Sequence, residues 1–168
     1  TIATKLYADF SASSPLWRAA LRCAAELDCL LALARYSAGS GMCRPVFVDG
    51  GGRTPFLDVR QGANPCVEAV LGSGECIRND LRIGVDGATG APRFLLVTGP
   101  NMGGKSTVLR QACLTPALAH LGCWVPAAAC TLTPVDRIFT RVGANDAIMA
   151  GLSTFRVELE ETSLILRH

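Results

Sequence analysis

The stretch Phe94-Leu-Leu-Val-Thr-Gly-Pro-Asn-Met-Gly-Gly-Lys-Ser-Thr107 decides the fold of this chain. Its first four residues are continuously apolar, which predicts a buried parallel strand. The glycine and proline that follow end this strand, and residues 104–121 have helical character. An apolar strand that turns through glycines into a helix indicates an α/β fold.

The turn itself, residues 99–106, matches the pattern G-x-x-x-x-G-K-[ST] at every fixed position. Glycines let the backbone wrap closely around an anion, and the amides of the loop and of the helix N-terminus then face the phosphate oxygens. In this pattern the lysine carries a charge to the β- and γ-phosphates, and the hydroxyl of the serine binds Mg²⁺. The sequence predicts a phosphate loop, against the alternative of a glycine-rich turn that binds nothing. The predicted nucleotide-binding residues are Gly99, Pro100, Asn101, Met102, Gly103, Gly104, Lys105, Ser106 and Thr107, with Ser106 as the Mg²⁺ ligand.

The composition predicts a soluble globular segment of one domain or less. The 168 residues carry a formal net charge of +2 and are 49% hydrophobic and 18% charged, which is enough apolar surface for a core. The longest apolar stretch in the N-terminal third runs from residue 29 to 34, far short of the roughly 20 residues of a membrane span. Because the first residue is Thr1 and no charged-then-apolar leader follows it, we expect a fragment without a signal peptide.

The eight cysteines do not form a metal-ligand pattern. None are spaced Cys-x-x-Cys and the chain has two histidines, so a tetrahedral zinc site is disfavoured. We expect the thiols to be small buried hydrophobes. They lie at positions 23, 29, 43, 66, 76, 113, 123 and 130.

A long amphipathic helix is predicted in the N-terminal region. Ser14 is the expected N-cap and Pro15 the first helical residue. From Leu16 to Ala34 apolar residues recur at alternating steps of four and three, and the helix should stop near Gly39. The spacing does not separate a helix packed on a neighbour from a rod-like arm. The segment Ser37–Gly41 is the expected boundary.

Further elements follow from local patterns. Short strands are predicted at Val46–Val48 and Phe56–Val59, which together suggest a small β-layer, and another at Arg137–Thr140. Residues 154–168 predict a helix. Pro116 lies inside the helix that follows the phosphate loop, so we expect a kink there.

The sequence of the predicted phosphate loop, Thr98 to Thr107, resembles that of the MutS mismatch-repair family. The resemblance continues through Gly122–Ala127, Asp136–Gly143, Gly151–Phe155 and Val157–Thr162. Met42–Val46, residues 134–140 and Ile148-Met149 are most similar to the eukaryotic branch that recognises the mispair. The resemblance implies an ABC-type P-loop NTPase. Residues 1–40 would be the end of its lever-type helical region, and residues 41–168 the N-terminal part of the ATPase domain.

The resemblance also implies an adenine pocket. Cys76, Ile77 and Asn79 fall where the family places an aromatic residue, an aliphatic residue and Asn around the base. Cys76 replaces the aromatic ring, whose stacking on a base is worth about 1–3 kcal/mol where it has been measured. Asn64-Pro65 likewise stands where His-Pro is usual in the family.

A second implied contact acts across a dimer. Ser153 and Thr154 match the family segment that reaches the γ-phosphate held by the opposite subunit, whereas spacing alone favours an ordinary N-cap at Ser153. The loop 143–151, with Asn145 and Asp146, would line the same interface or form a solvated turn.

The function implied is that of an ATP-binding, Mg²⁺-dependent part of a DNA mismatch repair protein. The family resemblance implies a heterodimer with a MutS homolog 2-type subunit, mismatched double-stranded DNA bound by parts outside this chain, and a nuclear location. ATP hydrolysis is expected in the full-length dimer. The scattered arginines form no basic stripe, so DNA binding does not follow from these residues.

No catalytic residue can be assigned in cis. The family's acidic Asp-Glu strand motif is not reached before His168, and Glu158, Glu160 and Glu161 are interpreted as a solvated helix face. The alternative is therefore a catalytically incomplete remnant or dimerisation module of the same family.

Overall fold

The computed structural model describes residues 2–49, 55–72, 75–84, 93–141 and 154–167, and over these the chain is a mixed α/β fold with a four-stranded sheet. The elements in chain order are α1 (Ile2–Ala12), α2 (Ser14–Ser37), β1 (Val46–Phe47), β2 (Leu57–Gly62), α3 (Pro65–Leu71), β3 (Asn79–Ile83), α4 (Lys105–His120), β4 (Ala129–Leu132) and α5 (Thr154–Leu166).

The sheet is built around β2. The strand order is β1-β4-β2-β3; β2 pairs antiparallel with both of its neighbours, and β1 pairs parallel with β4. In this register Val59 stands opposite Cys130 on one side and Leu81 on the other. All three are buried, with Val59 at 0% exposure, so the centre of the core coincides with the centre of the sheet.

Helix α4 packs against this sheet. Its residues Ala119, Ala112 and Leu118 join the core cluster, and the small alanine side chains let the helix approach closely. The helix ends in a Schellman motif, in which Cys123 N–H donates to Leu118 O and Gly122 N–H to Ala119 O. Gly122 supplies the positive φ, +82°, that this motif requires. Both ends of α4 are therefore fixed by glycine conformations.

A β-bulge interrupts β2 beside this helix. Gln61 has φ +48°, and the register shifts between Val59 and Gly62. The Gln61 amide donates to Asp80 Oδ1 at 2.7 Å, which satisfies the group that the bulge removes from the ladder. The shift places Gly62 opposite Asn79. A Cβ at Gly62 would lie 2.5 Å from Gln111 Nε2 on α4, so β2 and α4 approach more closely there than any side chain at position 62 would permit.

The N-terminal helices differ from their prediction in two respects. Helix α2 begins at Ser14 with Ser13 as its N-cap, so the predicted cap at Ser14 was wrong by one residue, and the Ser13 side chain makes no capping bond. Ser13 itself has helical φ and ψ, so α1, which the sequence did not predict, runs almost directly into α2. Neither helix contains a buried residue. Most of the apolar stripe of α2 is therefore exposed, as in an arm, and only its C-terminal residues, Leu30 and Ala34 among them, face Leu121 and Trp124 across a cavity.

The C-terminal end of α2 is nevertheless tied to the α/β layer. Ser37 Oγ accepts from the Trp124 amide at 3.0 Å and donates to Leu33 O. After the turn at residues 38–41, Cys43 and Val125 exchange two backbone hydrogen bonds of 2.9 Å. The orientation of the arm relative to the sheet is thus set at its last turn.

The predicted strand at residues 94–97 is wrong for the described structure. These residues form no strand, and Phe94 and Leu96 are 78% and 74% exposed. An apolar run becomes a strand only where a neighbour pairs with its backbone, and the described strands pair among themselves. The continuous apolar run that predicts burial is present at residues 94–97, but none of the four described strands pairs with it.

The strand predicted at Arg137–Thr140 is also absent from the described structure. Both sides of β4 are already paired, with β1 and β2, and Pro134 then leads the chain away without an amide to donate. The predicted strands near residues 46–48 and 56–59 are confirmed as β1 and β2, and the predicted helices over 104–121 and 154–168 as α4 and α5. Helix α4 continues through Pro116; its predicted kink stays a prediction.

The expectation of buried thiols holds for some cysteines and fails for others. Cys123 and Cys130 are buried, whereas Cys23, Cys29 and Cys66 are exposed, because the helices that carry these three present them to solvent. All eight are free thiols. Burial raises the pKa of Cys130 to about 12. Over the described ranges, no cluster of three or more His, Cys, Asp or Glu side chains is arranged to hold a metal ion.

Among the residues that the structure describes, no helix combines the length and apolar character of a membrane-crossing segment.

Substitution of Gly62 should disturb the contact between β2 and α4. In Gly62→Ala the new methyl group would lie 2.5 Å from Gln111 Nε2 and 2.6 Å from Val59 Cγ1, and both side chains are fully buried. Overpacking of this kind costs about 1–3 kcal/mol, so the free energy of unfolding measured by urea titration should fall by that amount. A change below about 0.5 kcal/mol would mean that the contact is not tight.

Alkylation should separate the cysteines by exposure and pKa. At pH 8 iodoacetamide should modify Cys66 readily, whereas Cys130 should react only after denaturation, because the thiolate is the nucleophile and at a pKa near 12 about one thiol in ten thousand is ionised. Raising the pH toward 12 increases the thiolate fraction, yet burial should still slow the reaction at Cys130. Peptide mass spectrometry measures both rates, and equal rates in the native chain would contradict the burial of β4.

Candidate phosphate-binding site

The loop before α4 contains three residues with positive φ. Gly99 has φ +153°, Met102 +63° and Gly104 +81°. The Gly103 amide donates to Pro100 O at 3.2 Å, which closes the turn. The two glycines adopt these angles without the steric cost that a side chain would bring. The loop therefore bends back toward the N-terminus of α4, as the motif predicts.

Lys105 extends its side chain across the loop. Its Nζ donates to Gly99 O at 2.8 Å and to Pro100 O at 2.6 Å. An ammonium group has three N–H donors, so these two bonds leave one for an anion. The loop's own carbonyls thus hold the positive charge at the site before any ligand arrives.

The first turn of α4 supplies further donors. Gly104 is the N-cap and the first helical hydrogen bond runs from Val108 N–H to Gly104 O. The amides of Lys105, Ser106 and Thr107 consequently have no partner within the helix. Ser106 is exposed at this end, so its hydroxyl is accessible. Free amides, a helix dipole and an ammonium group together favour an anion.

The loop also leaves room for a ligand. A Cβ built on Gly99 or on Gly104 would meet no heavy atom within 4 Å. Gly103 differs, since its Cβ would lie 3.0 Å from Pro100 O. The two outer positions therefore border open space, while the inner one is needed for the turn.

Asn64 connects this site to the rest of the fold, a role that sequence reasoning missed. Its side chain is 2% exposed; Nδ2 donates to Thr107 O at 2.9 Å, and Oδ1 accepts from the amides of Cys66 and Val67. Asn followed by Pro is a typical N-cap pair, which is the signal that would have predicted α3.

The three residues predicted around the base lie together at the start of β3. Asn79 Nδ2 donates to Ile77 O at 3.2 Å, and Cys76 Sγ donates to the same carbonyl at 3.8 Å. The Ile77 side chain is exposed. The structure describes no direct contact between this segment and the phosphate loop; α3 contacts both, since Asn64 bonds to Thr107 and Glu68 to Arg78.

A partly buried ion pair anchors the base segment. Arg78 Nη2 lies 2.6 Å from Glu68 Oε1 on α3, and Arg78 Nη1 donates to Gly41 O and Gln61 O. Burial, and after it the negative charge of Glu68, raises the pKa of Tyr36 to about 12. One arginine thus joins α3, the bulge in β2 and the turn that follows the helical arm.

A separate apolar cavity of about 240 Å³ lies between α4, at Ala112 and Pro116, and the strand residues Leu57, Ile83 and Leu132. No residue of the phosphate loop is among its described lining residues, so it is not part of this site.

The residues predicted to act across a dimer lie mostly outside the described part of the chain. Ser153 and the loop 143–151 lie outside the described residues, and Thr154 is the first residue of α5. Their role stays a prediction.

Comparison with known proteins gives a consistent family. The profile of MutS domain V matches residues 95–168, which include the phosphate loop and α4. Human DNA mismatch repair protein Msh6 is 47% identical over 169 aligned residues that include 98% of this chain. The chain belongs to the MutS family. The expectation of a chain most like eukaryotic MutS homolog 6 is thereby confirmed.

Other members of the MutS family show similar identity. The probable Msh6 of Drosophila melanogaster is 47% identical over 99% of the chain. The MutS protein of Treponema pallidum is 48% identical over 85% of it. The chain spans 12% of the human relative and 15% of the bacterial one, so it corresponds to a small part of either protein.

Proposed function

We propose that this chain is the ATP-binding part of a MutS-family DNA mismatch repair protein. In this proposal residues 41–168 are the N-terminal part of an ABC-type P-loop NTPase domain, and residues 1–40 are the end of the lever-type helical region. The observation that supports it best is the loop at 99–104, which brings the Lys105 ammonium group and the free amides of α4 to one point.

The residues present fit a triphosphate and Mg²⁺. The open space at Gly99 and Gly104 is where a side chain is missing, and the donors around it are amides and one ammonium group. We assign the phosphates to Gly99 through Thr107. Ser106 would hold Mg²⁺ through its hydroxyl, and the ion supplies charge neutralisation between the β- and γ-phosphate oxygens when bound. Lys105 binds and orients the phosphate chain.

The base subsite is proposed at Cys76, Ile77 and Asn79. The exposed Ile77 side chain offers an apolar surface on which an adenine ring can lie. Cys76 covers less of the ring than an aromatic residue would, so we expect the phosphates to contribute most of the affinity. This order of contributions follows from a site rich in donors and poor in aromatic surface.

The remaining parts of the function belong to the whole protein. We propose a nuclear heterodimer with a MutS homolog 2-type subunit, in which Ser153 and Thr154 face the nucleotide of the partner. ATP binding and hydrolysis would switch the dimer, and mismatched double-stranded DNA would be bound by parts outside this chain. The similarity to Msh6 proteins, whose names describe DNA mismatch repair, supports this assignment.

One observation favours a second function, that of an interaction module. Large apolar side chains are exposed along α1 and α2, among them Leu6, Phe10, Leu16 and Leu27. Such a surface is typical of a face that another chain or segment covers. In this alternative the phosphate loop would be a remnant and the helices would carry the function.

The decisive experiment is the removal of one ammonium group. Lys105→Ala should weaken Mg-ATP binding by about 10- to 150-fold, because a hydrogen bond to a charged group is worth about 1.5–3 kcal/mol. Isothermal titration of the purified chain measures this loss. Lys5→Ala is the matched control, since Lys5 is the other lysine of the chain and lies on α1. Equal affinities for both variants would favour the interaction module.

Two glycine substitutions distinguish an effect on nucleotide binding from an effect on the stability of the protein. Gly104 and Gly122 have φ of +81° and +82°, and a Cβ at either would meet no heavy atom within 4 Å. Gly104→Ala and Gly122→Ala should therefore cost a similar amount of stability, about 1 kcal/mol. Only Gly104→Ala should also weaken Mg-ATP binding, because its methyl group enters the space proposed for the phosphates. Parallel thermal unfolding and nucleotide titration test this, and equal nucleotide affinities would count against the proposed placement.

A further inference from the structure

Helix α3 contacts both parts of the proposed nucleotide site. It follows β2 and precedes the base segment; its N-cap Asn64 bonds to Thr107 and its middle residue Glu68 bonds to Arg78. A helix of this length has little stability of its own. Its position must therefore come from those contacts.

At the phosphate side the contact is the buried amide of Asn64. Its oxygen accepts the two amides at the start of α3, and its nitrogen donates to the carbonyl of Thr107, at 2.9 Å. The same side chain thus fixes the first turn of α3 and the first turn of α4. Because Asn64 is almost fully buried, loss of the bond to Thr107 would leave a polar group without a partner.

At the base side the contact is the Glu68–Arg78 pair. The carboxylate is 9% and the guanidinium 22% exposed, and the two atoms lie 2.6 Å apart. Arg78 lies between Ile77 and Asn79 in the chain. A charge pair this far removed from water holds its geometry more strongly than a surface pair does.

The bulge in β2 also restricts the distance between the start of β3 and helix α4. Gly62 is paired with Asn79 and its Cα faces Gln111 on α4, with no room for a methyl group between. The start of β3 and the phosphate-loop helix are therefore held at a short, fixed separation.

We propose that α3 is a spacer that sets the distance between the phosphate loop and the base segment, with Asn64 and Glu68 as its positioning residues. The inference rests on the proposed function, since it concerns one ligand that occupies both subsites. Such a ligand gains affinity only if the two subsites are already at the distance that it spans. A ligand that occupies the phosphate loop alone gains nothing from α3.

The test compares Mg-ATP with Mg-tripolyphosphate, which lacks the base and the sugar. Asn64→Asp retains the N-cap of α3, because Asp caps as well as Asn, but it places an acceptor against the Thr107 carbonyl. The added negative charge and any shift of the first turn of α4 act on both ligands alike, so the prediction concerns their ratio: this variant should weaken Mg-ATP about tenfold more than Mg-tripolyphosphate, which converts to about 1.4 kcal/mol. Isothermal titration of the purified chain measures both affinities.

A second variant acts at the contact of α3 with the base segment. Glu68→Gln keeps an acceptor for Arg78 but removes the charge, so the ratio of the two affinities should fall by about threefold to tenfold. Glu75→Gln is its matched control, because it removes the same charge from an exposed residue of the described chain. The control should leave the ratio unchanged.

The outcomes separate this inference from the proposed function. A fall in the ratio for both variants supports the spacer. An unchanged ratio, or an equal loss for both ligands, overturns it and assigns α3 a merely structural role. If Lys105→Ala leaves both ligands bound as before, the proposed function fails and the inference fails with it; if Lys105→Ala releases both while the ratio stays constant, the spacer alone is wrong.

Discussion

The pairing of β2 on both sides is the constraint on which the rest of this structure depends. Val59 is completely buried between Cys130 and Leu81, and the strand is hydrogen-bonded along both edges. Because both ladders are satisfied, β2 must sit at the centre of the sheet, and α4 must cover it. The bulge at Gln61 then turns the chain out of the sheet toward α3. The site is assembled at the point where this regular pairing ends.

The elements that the sequence predicted well are those with a local signal. Gly104 and Lys105 mark the start of α4, and apolar steps of three and four mark α2, since both depend on residues a few positions apart. Among the elements that it missed, β3 and β4 depend on distant partners, whereas α3 has a local Asn-Pro cap. β4 is four residues long and exists because β1 and β2 pair with it, and the apolar run at 94–97 fails to form a strand for the lack of such a partner.

The candidate site likewise contains one part with a local sequence signal and other parts that depend on distant residues. The turn that leads into α4 could be predicted because one continuous segment contains its glycines, its lysine and its helix N-terminus. The contacts of Asn64 with Thr107 and of Glu68 with Arg78 could not, because they join residues 43 and 10 positions apart through the folding of α3. The predicted base residues are close to one another for a local reason, the shared carbonyl of Ile77. Their relation to the loop is a property of the fold.

The two bonds from Lys105 to its own loop have a consequence for ligand choice. In the proposed site, a small anion would compete with the carbonyl oxygens of Gly99 and Pro100 for the Lys105 ammonium group. The one contact that it forms would compensate for little of the binding free energy lost with those bonds. In the proposed site, a polyanion would contact the Lys105 ammonium group and the amides of α4 at the same time. Its contacts with the amides would compensate for the carbonyl bonds of Lys105 that it breaks. In the proposed site, a loop that holds its own ammonium group in this way would favour a polyphosphate over a single small anion.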